Sequence, residues 1–169
     1  NEKDIKVIAN DFLASNYIPL KAFLGTSEID FEEIEKKINL LNGLELNNDD
    51  YFSEHFGKTY FTFENARKIG AIREKIDEIA KNENEKAVLI TALLYAVDKV
   101  ANTVGHYDAY RKKLDTVQPL RLLIPDFEPE NNSNNEIYNE DANQLIRKIS
   151  CDVLYIDPPY NSRQYSDAY

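Results

Sequence analysis

The chain has 169 residues, 43% hydrophobic and 30% charged, which suits one compact domain with an apolar core and makes two full domains a tight fit. Thirty acidic against twenty basic side chains give a net charge of -10, so any surface for nucleic acid has to be local. One cysteine excludes an internal disulfide framework, two distant histidines supply no zinc cluster, and no apolar run reaches the roughly 18 residues of a membrane span. The lack of a signal-peptide pattern makes a reducing, cytoplasmic setting the expectation.

In chain order, Ile5, Val7 and Ile8 followed by Asn10 and Asp11 read as a short buried strand ending in polar residues, where α/β proteins place ligand-facing groups. A helix is expected next, capped by Ser15 and ended by Gly25, with Ile18, Ala22 and Phe23 as its apolar stripe and Pro19 in its first turns. Asp30 and Glu33 form a capping-box signature ahead of Ile34, Ile38 and Leu41, and Gly43 closes that helix. Thr62 is placed to cap a third helix whose stripe is Ile69, Ile72, Ile76 and Ile79. Residues 85–101 are apolar on more than one face and predict the most buried helix. Residues 102–113 follow no period, and their polar, aromatic and basic content suits a ligand-facing loop.

Residues 120–124 read as a strand and 125–135 as a solvent-exposed connection. Ile137 and Tyr138 predict a brief strand, Leu145, Ile146 and Ile149 a short helix, and residues 153–156 a last strand in the same mostly parallel sheet. The expectation is an α/β domain over residues 1–169, with residues 30–113 as a mainly helical insertion. Cys151, at the start of the last strand, reads as buried filler, and no internal repeat is present.

Chemistry concentrates in Asp157-Pro158-Pro159-Tyr160, delivered at the carboxyl end of that last strand. Two prolines fix the backbone and remove two donors, so a carboxylate and a carbonyl can converge on a donor group such as an exocyclic amine. Tyr160 offers a flat face for a planar base, a contact worth about 1–3 kcal/mol in single-stranded nucleic-acid binding.

This tetrapeptide resembles the catalytic motif of amino-group DNA methyltransferases, and also motifs of some ribosomal RNA guanine methyltransferases. Three further segments sharpen the likeness: residues 60–69 with Ala71 to Glu74, residues 98–110, and the Asn161 to Tyr165 continuation of the motif. Together, and in this order, they are similar to Dam-like N6-adenine-specific DNA methyltransferases of restriction-modification type. The resemblance implies a partial Rossmann-like fold, S-adenosylmethionine as cofactor and double-stranded DNA as partner. Catalytic roles fall to Asp157, Pro158 and Tyr160, without a nucleophilic cysteine. Cofactor contacts fall to Asp11 for the ribose hydroxyls, Asp141 for the adenine, and Asp157. For Asp11 and Asp141 helix capping is the alternative, and for Asp141 it carries nearly equal weight.

The same likeness assigns DNA contacts to Asn102, Tyr107, Arg111, Lys112 and Lys113, with a solvated basic helix end as the alternative for the lysines. His106 reads as a hydrogen-bonded loop residue. The family's glycine-rich cofactor loop has no counterpart here, since the five glycines stand at 25, 43, 57, 70 and 105. The chain therefore reads as a piece truncated at both ends, with little cofactor binding or activity alone. A noncatalytic DNA-binding remnant and an RNA guanine methyltransferase stay open as alternatives, and oligomeric state is not legible.

Overall fold

The computed structural model describes residues 5–46, 48–107, 109–114, 118–129 and 132–158. Strand β1 (Ile8–Asn10) leads into helix α1 (Ala14–Leu20) and a π-helical turn, Lys21–Gly25. Helices α2 (Phe31–Asn42), α3 (Tyr51–Phe56), α4 (Phe63–Ile79) and α5 (Glu83–Val100) follow, then strand β2 (Glu136–Tyr138) and helix α6 (Ala142–Leu145). The strands pair in parallel, with Ile8 opposite Glu136 and Asn10 opposite Tyr138. None of the described helices is long and apolar enough to cross a membrane.

Local chemistry sets most of the helix starts. Asp30 accepts from the Glu33 N–H at 3.1 Å and Thr62 from the Asn65 N–H at 3.2 Å, as their spacing predicts. Asn82 caps α5 by accepting from the N–H groups of Asn84 and Glu85. The first helix differs from expectation: its cap position is Leu13, with no side-chain cap. Its first turn is instead steadied from Asp11, whose carboxylate accepts from the Leu13 N–H at 2.8 Å. Gly25 does end the π turn, and a Cβ there would stand 2.9 Å from Ile137 Cγ1.

The core lies among the helices. Ile34, Ile38 and Leu41 of α2 meet Ile69, Ile72 and Ile76 of α4, while α5 buries residues on several faces. Fully buried side chains of this kind each contribute about 1.5–3 kcal/mol. A buried ion pair, Lys37 with Glu85, ties α2 to the start of α5. Helix α3, which the sequence reading passed over, is closed by a reciprocal box: the Ser53 N–H donates to Asp50 at 2.6 Å and the Asp50 N–H to Ser53 Oγ at 2.9 Å.

Two expected strands are absent. Leu120 and Leu122 are buried, but their backbone is held by side-chain amides and not by a neighbouring strand. The Leu120 N–H donates to Asn65 Oδ1 and the Leu122 N–H to Asn42 Oδ1, both at 2.9 Å. Asn65 Nδ2 and Asn42 Nδ2 in turn donate to the carbonyls of Gln118 and Leu122. Residues 153–156 form no strand either: Val153, Leu154, Tyr155 and Ile156 are 86%, 49%, 84% and 69% exposed. Their backbone meets no ladder partner among the described residues, and a strand exists only through such partners. Cys151 is exposed with them, not buried. The 125–135 connection is also less open than expected, because Asn132 is 5% exposed and donates to the carbonyls of Phe23 and Thr26 in and after the π turn.

Candidate functional site

The carboxyl ends of β1 and β2 lie side by side, and the ladder reaches one step past β1, where the Asp11 N–H donates to the Tyr138 carbonyl at 3.3 Å. Asp11 and Asp141 thus project from loops leaving the same edge of one parallel sheet, the position at which such sheets meet ligands. Asp11 is partly buried. Its Oδ1 accepts from the Leu13 N–H at 2.8 Å and its Oδ2 from Asn16 Nδ2 at 3.0 Å. Each carboxylate oxygen has room for a second donor.

Asp141 is exposed and caps α6, with Oδ1 accepting from the N–H groups of Asn143 at 2.8 Å and Gln144 at 3.2 Å. Both of these bonds fall on Oδ1, and neither engages Oδ2. Capping and ligand binding are therefore compatible in one carboxylate here.

Between Asp11 and α1 stands Phe12, 74% exposed. The sequence reading omitted it, although an aromatic residue directly after a strand-end carboxylate is the signal that could have found it. The two loops are also cross-tied by asparagine side chains. Asn10 exchanges two 3.0 Å bonds with the backbone of Glu140, and Asn139 Nδ2 donates to the carbonyls of Asp11 at 2.7 Å and Phe12 at 2.9 Å.

Asp157 and Pro158 are exposed, and no hydrogen bond or ion pair among the described residues joins them to Asp11 or Asp141. The expected convergence of the three aspartates is not formed by such contacts, because the strand that was to carry Asp157 into the sheet is not paired. Pro159 and Tyr160 lie outside the described residues.

The 102–113 segment is a folded-back loop closed by an antiparallel bridge between Thr103 and Tyr110. Asn102 is its base. Asn102 Nδ2 donates to the carbonyls of Thr59 and Arg111, both at 2.9 Å, while its N–H donates to the Tyr60 carbonyl and its carbonyl accepts from the Arg111 N–H. Tyr107 hydroxyl donates to Asp98 Oδ1 at 2.8 Å, and Tyr60 hydroxyl donates to the Tyr107 carbonyl. Burial first, and then the Asp98 carboxylate, push the Tyr107 phenol well above its ordinary value. Arg111, Lys112 and Lys113 are exposed beside this loop, so a locally basic edge does exist on an acidic chain.

Known proteins resemble this chain along nearly its whole length. The type II methyltransferase M.FokI of Planomicrobium okeanokoites is 39% identical over 188 residues, covering 99% of this chain and 29% of that protein. The modification methylase StsI of Streptococcus sanguinis is 35% identical, covering 96% of this chain and 28% of its own length. The type II methyltransferase M.NlaIII of Neisseria lactamica is 36% identical, covering 97% of this chain and 52% of its own length. The chain thus spans between under a third and about half of these relatives. No solved structure matches it. The family described as D12 class N6 adenine-specific DNA methyltransferase matches residues 1–169, and the chain belongs to that family.

Proposed function

We propose that this chain is part of an enzyme that methylates the N6 amino group of adenine in double-stranded DNA, with S-adenosylmethionine as donor, in a restriction-modification system. The observation that carries the reading is the placement of Asp11 and Asp141 on one carboxyl edge of a parallel strand pair, in a chain of this family that also bears Asp157-Pro158-Pro159-Tyr160. On this reading β1 and β2 belong to a Rossmann-like sheet, and residues 30–113 are a helical insertion that faces DNA in part.

The donor set suits the cofactor. Asp11 has acceptor capacity for ribose hydroxyls, Asp141 Oδ2 for the adenine amine, and the exposed Phe12 ring offers a face for the adenine. When bound, S-adenosylmethionine would supply a methyl group on a sulfonium centre, whose transfer forms the nitrogen–carbon bond, leaves a neutral thioether with the carbon–sulfur electron pair, and releases one amine proton to water. The chain's own part is positioning and charge complementarity. The target base leaves the helix at a cost of a few kcal/mol. Asp157 and the Pro158 carbonyl then accept from its amino group, which turns the nitrogen lone pair toward the methyl, and Tyr160 stacks on the ring. Asn102 and Tyr107 hold the loop from which Arg111, Lys112 and Lys113 meet phosphates.

The test uses the intact protein with labelled cofactor and duplex DNA, followed by nucleoside analysis. N6-methyladenine is the expected product, and Asp157→Ala should lower transfer at least about 10²–10³-fold with the circular dichroism spectrum unchanged. N2-methylguanine from RNA, or near-normal transfer by the alanine variant, overturns the reading.

A further inference from the structure

We infer that Asn139, supported by Asn10, is a positioning residue that holds Asp11 and Phe12 in place for the cofactor, an inference that rests on reading the strand edge as the cofactor cleft. Beyond the last ladder bond, Asp11 N–H to the Tyr138 carbonyl, β1 and β2 have no further backbone connection among the described residues. Two primary amides take over. Asn10 pairs with both backbone groups of Glu140 at 3.0 Å and so adds a rung made of side chain. Asn139 reaches the other way, with one nitrogen serving the carbonyls of both Asp11 at 2.7 Å and Phe12 at 2.9 Å.

The chemistry needs an amide at this place. A carboxylate of the same size at position 139 has only acceptors and would face two carbonyl oxygens, while alanine would leave those carbonyls to water. Asn139 and Phe12 are both exposed, and solvent-exposed hydrogen bonds add little to folding because water replaces them. A two-pronged clamp on the two residues that face the ligand, made in a place where it does little for stability, is suited to pre-ordering a site. It fixes the backbone at both Asp11 and Phe12, from which the carboxylate and the exposed ring project. Ordering of this kind before binding lowers the entropy lost on binding.

The experiment is a cofactor titration of the intact enzyme, by calorimetry with S-adenosylhomocysteine and by KM for S-adenosylmethionine. The variants are Asn139→Asp and Asn139→Gln, each alone and in an Asp11→Ala, Phe12→Ala background. Asn139→Asp should raise cofactor Kd and KM about tenfold or more, with the KM for DNA unchanged and the Tm within about 3 °C. Asn139→Gln, which keeps the donor, should recover part of the loss. In the double-alanine background the Asn139→Asp effect should fall below about twofold, since residues acting through one another are not additive.

An unchanged cofactor Kd in Asn139→Asp, with binding weakened by Asp11→Ala, overturns the positioning role and leaves the cleft reading standing. Unchanged binding in Asp11→Ala overturns the cleft reading and the inference with it. A Tm drop that accounts for the lost binding, or full additivity in the double-alanine background, makes Asn139 merely structural and overturns the inference.

Discussion

The carboxylate of Asp50 lies against Gly70, so close that a Cβ on that glycine would stand 1.8 Å from Asp50 Oδ2. Asp50 is also the cap of α3, accepting from the Ser53 N–H at 2.6 Å. Gly70 is therefore the notch in α4 that lets the start of α3 seat against it. Gly70→Ala would ordinarily help a helix by roughly 0.8–1 kcal/mol. Here it has to expel the capping carboxylate, losing about 1 kcal/mol of cap and adding about 1–3 kcal/mol of overpacking. The expected result of thermal or urea unfolding is a less stable protein; an unchanged or raised Tm would show that α3 does not dock through this notch.

The buried pair between α2 and α5 predicts an acid-sensitive fold. Burial works to raise the Glu85 carboxyl, but the Lys37 ammonium and the Lys81 N–H outweigh it and hold it below its ordinary 4.5. A carboxyl lower in the folded than in the unfolded state stabilises above the unfolded value, and that contribution is lost as pH falls through the folded one. Lys37→Ala leaves Glu85 with the Lys81 N–H as donor and only the coulombic pull of the Lys81 ammonium in place of the ion pair, which should destabilise by up to about 3 kcal/mol at neutral pH. The difference from the parent should shrink below the ordinary carboxylate value. Unfolding curves at pH 7 and pH 3 check this, and a gap that is constant with pH would refute it.

Much of the helical part was legible because its signals are local. Asp30, Thr62, Gly43 and the isoleucine stripe of α4 sit where spacing puts them. The elements that escaped depend on partners far along the chain. Residues 120–124 alternate as a strand does, and Leu120 and Leu122 are buried in that pattern, yet the hydrogen bonds go to Asn65 and Asn42 on helices, which no periodicity in the segment itself can reveal. The reverse holds at residues 153–156, whose composition is strand-like while the required neighbour is missing among the described residues. At the site, Asp11 could be singled out from its position after an apolar run, whereas Asp141 was singled out only through the family resemblance. The Asn139 clamp was not, because it joins residues 128 and 127 positions apart.

The loop carrying the basic edge should respond to its anchor without involving the cofactor. Tyr107→Phe deletes the 2.8 Å bond to Asp98 and keeps the ring against Tyr60, whose centroid lies 6.2 Å away. One hydrogen bond of this kind is worth about 1–1.5 kcal/mol, so the intact enzyme should show a KM for DNA raised several-fold with cofactor affinity unchanged. The parent's phenol is pushed above its ordinary 10.0, hence its hydrogen bond should hold throughout the neutral range. The parent-to-variant ratio should stay flat between pH 6 and 9; a ratio that changes across that range would mean the phenol is not held protonated.

Lys112 and Lys113 are exposed next to that anchored loop, on a chain whose net charge is -10. With repulsion between DNA and the rest of the chain, whatever binding occurs must come from a few local phosphate contacts. Each such contact releases counterions and adds about 0.9 to the slope of log K against log salt concentration. Removing one phosphate contact should weaken binding to all sequences nearly uniformly and lower that slope by about 1. The intact enzyme with Lys112→Gln and Lys113→Gln should therefore lose about two units of salt slope, with the recognised sequence unchanged. Fluorescence anisotropy on labelled duplexes between 50 and 200 mM salt measures both quantities. If the slope stays as steep as in the parent, these lysines are a solvated loop feature and the phosphate contacts lie elsewhere. If the slope falls and the preferred sequence also shifts, their role extends from phosphates to base edges, because backbone contacts alone carry no sequence information.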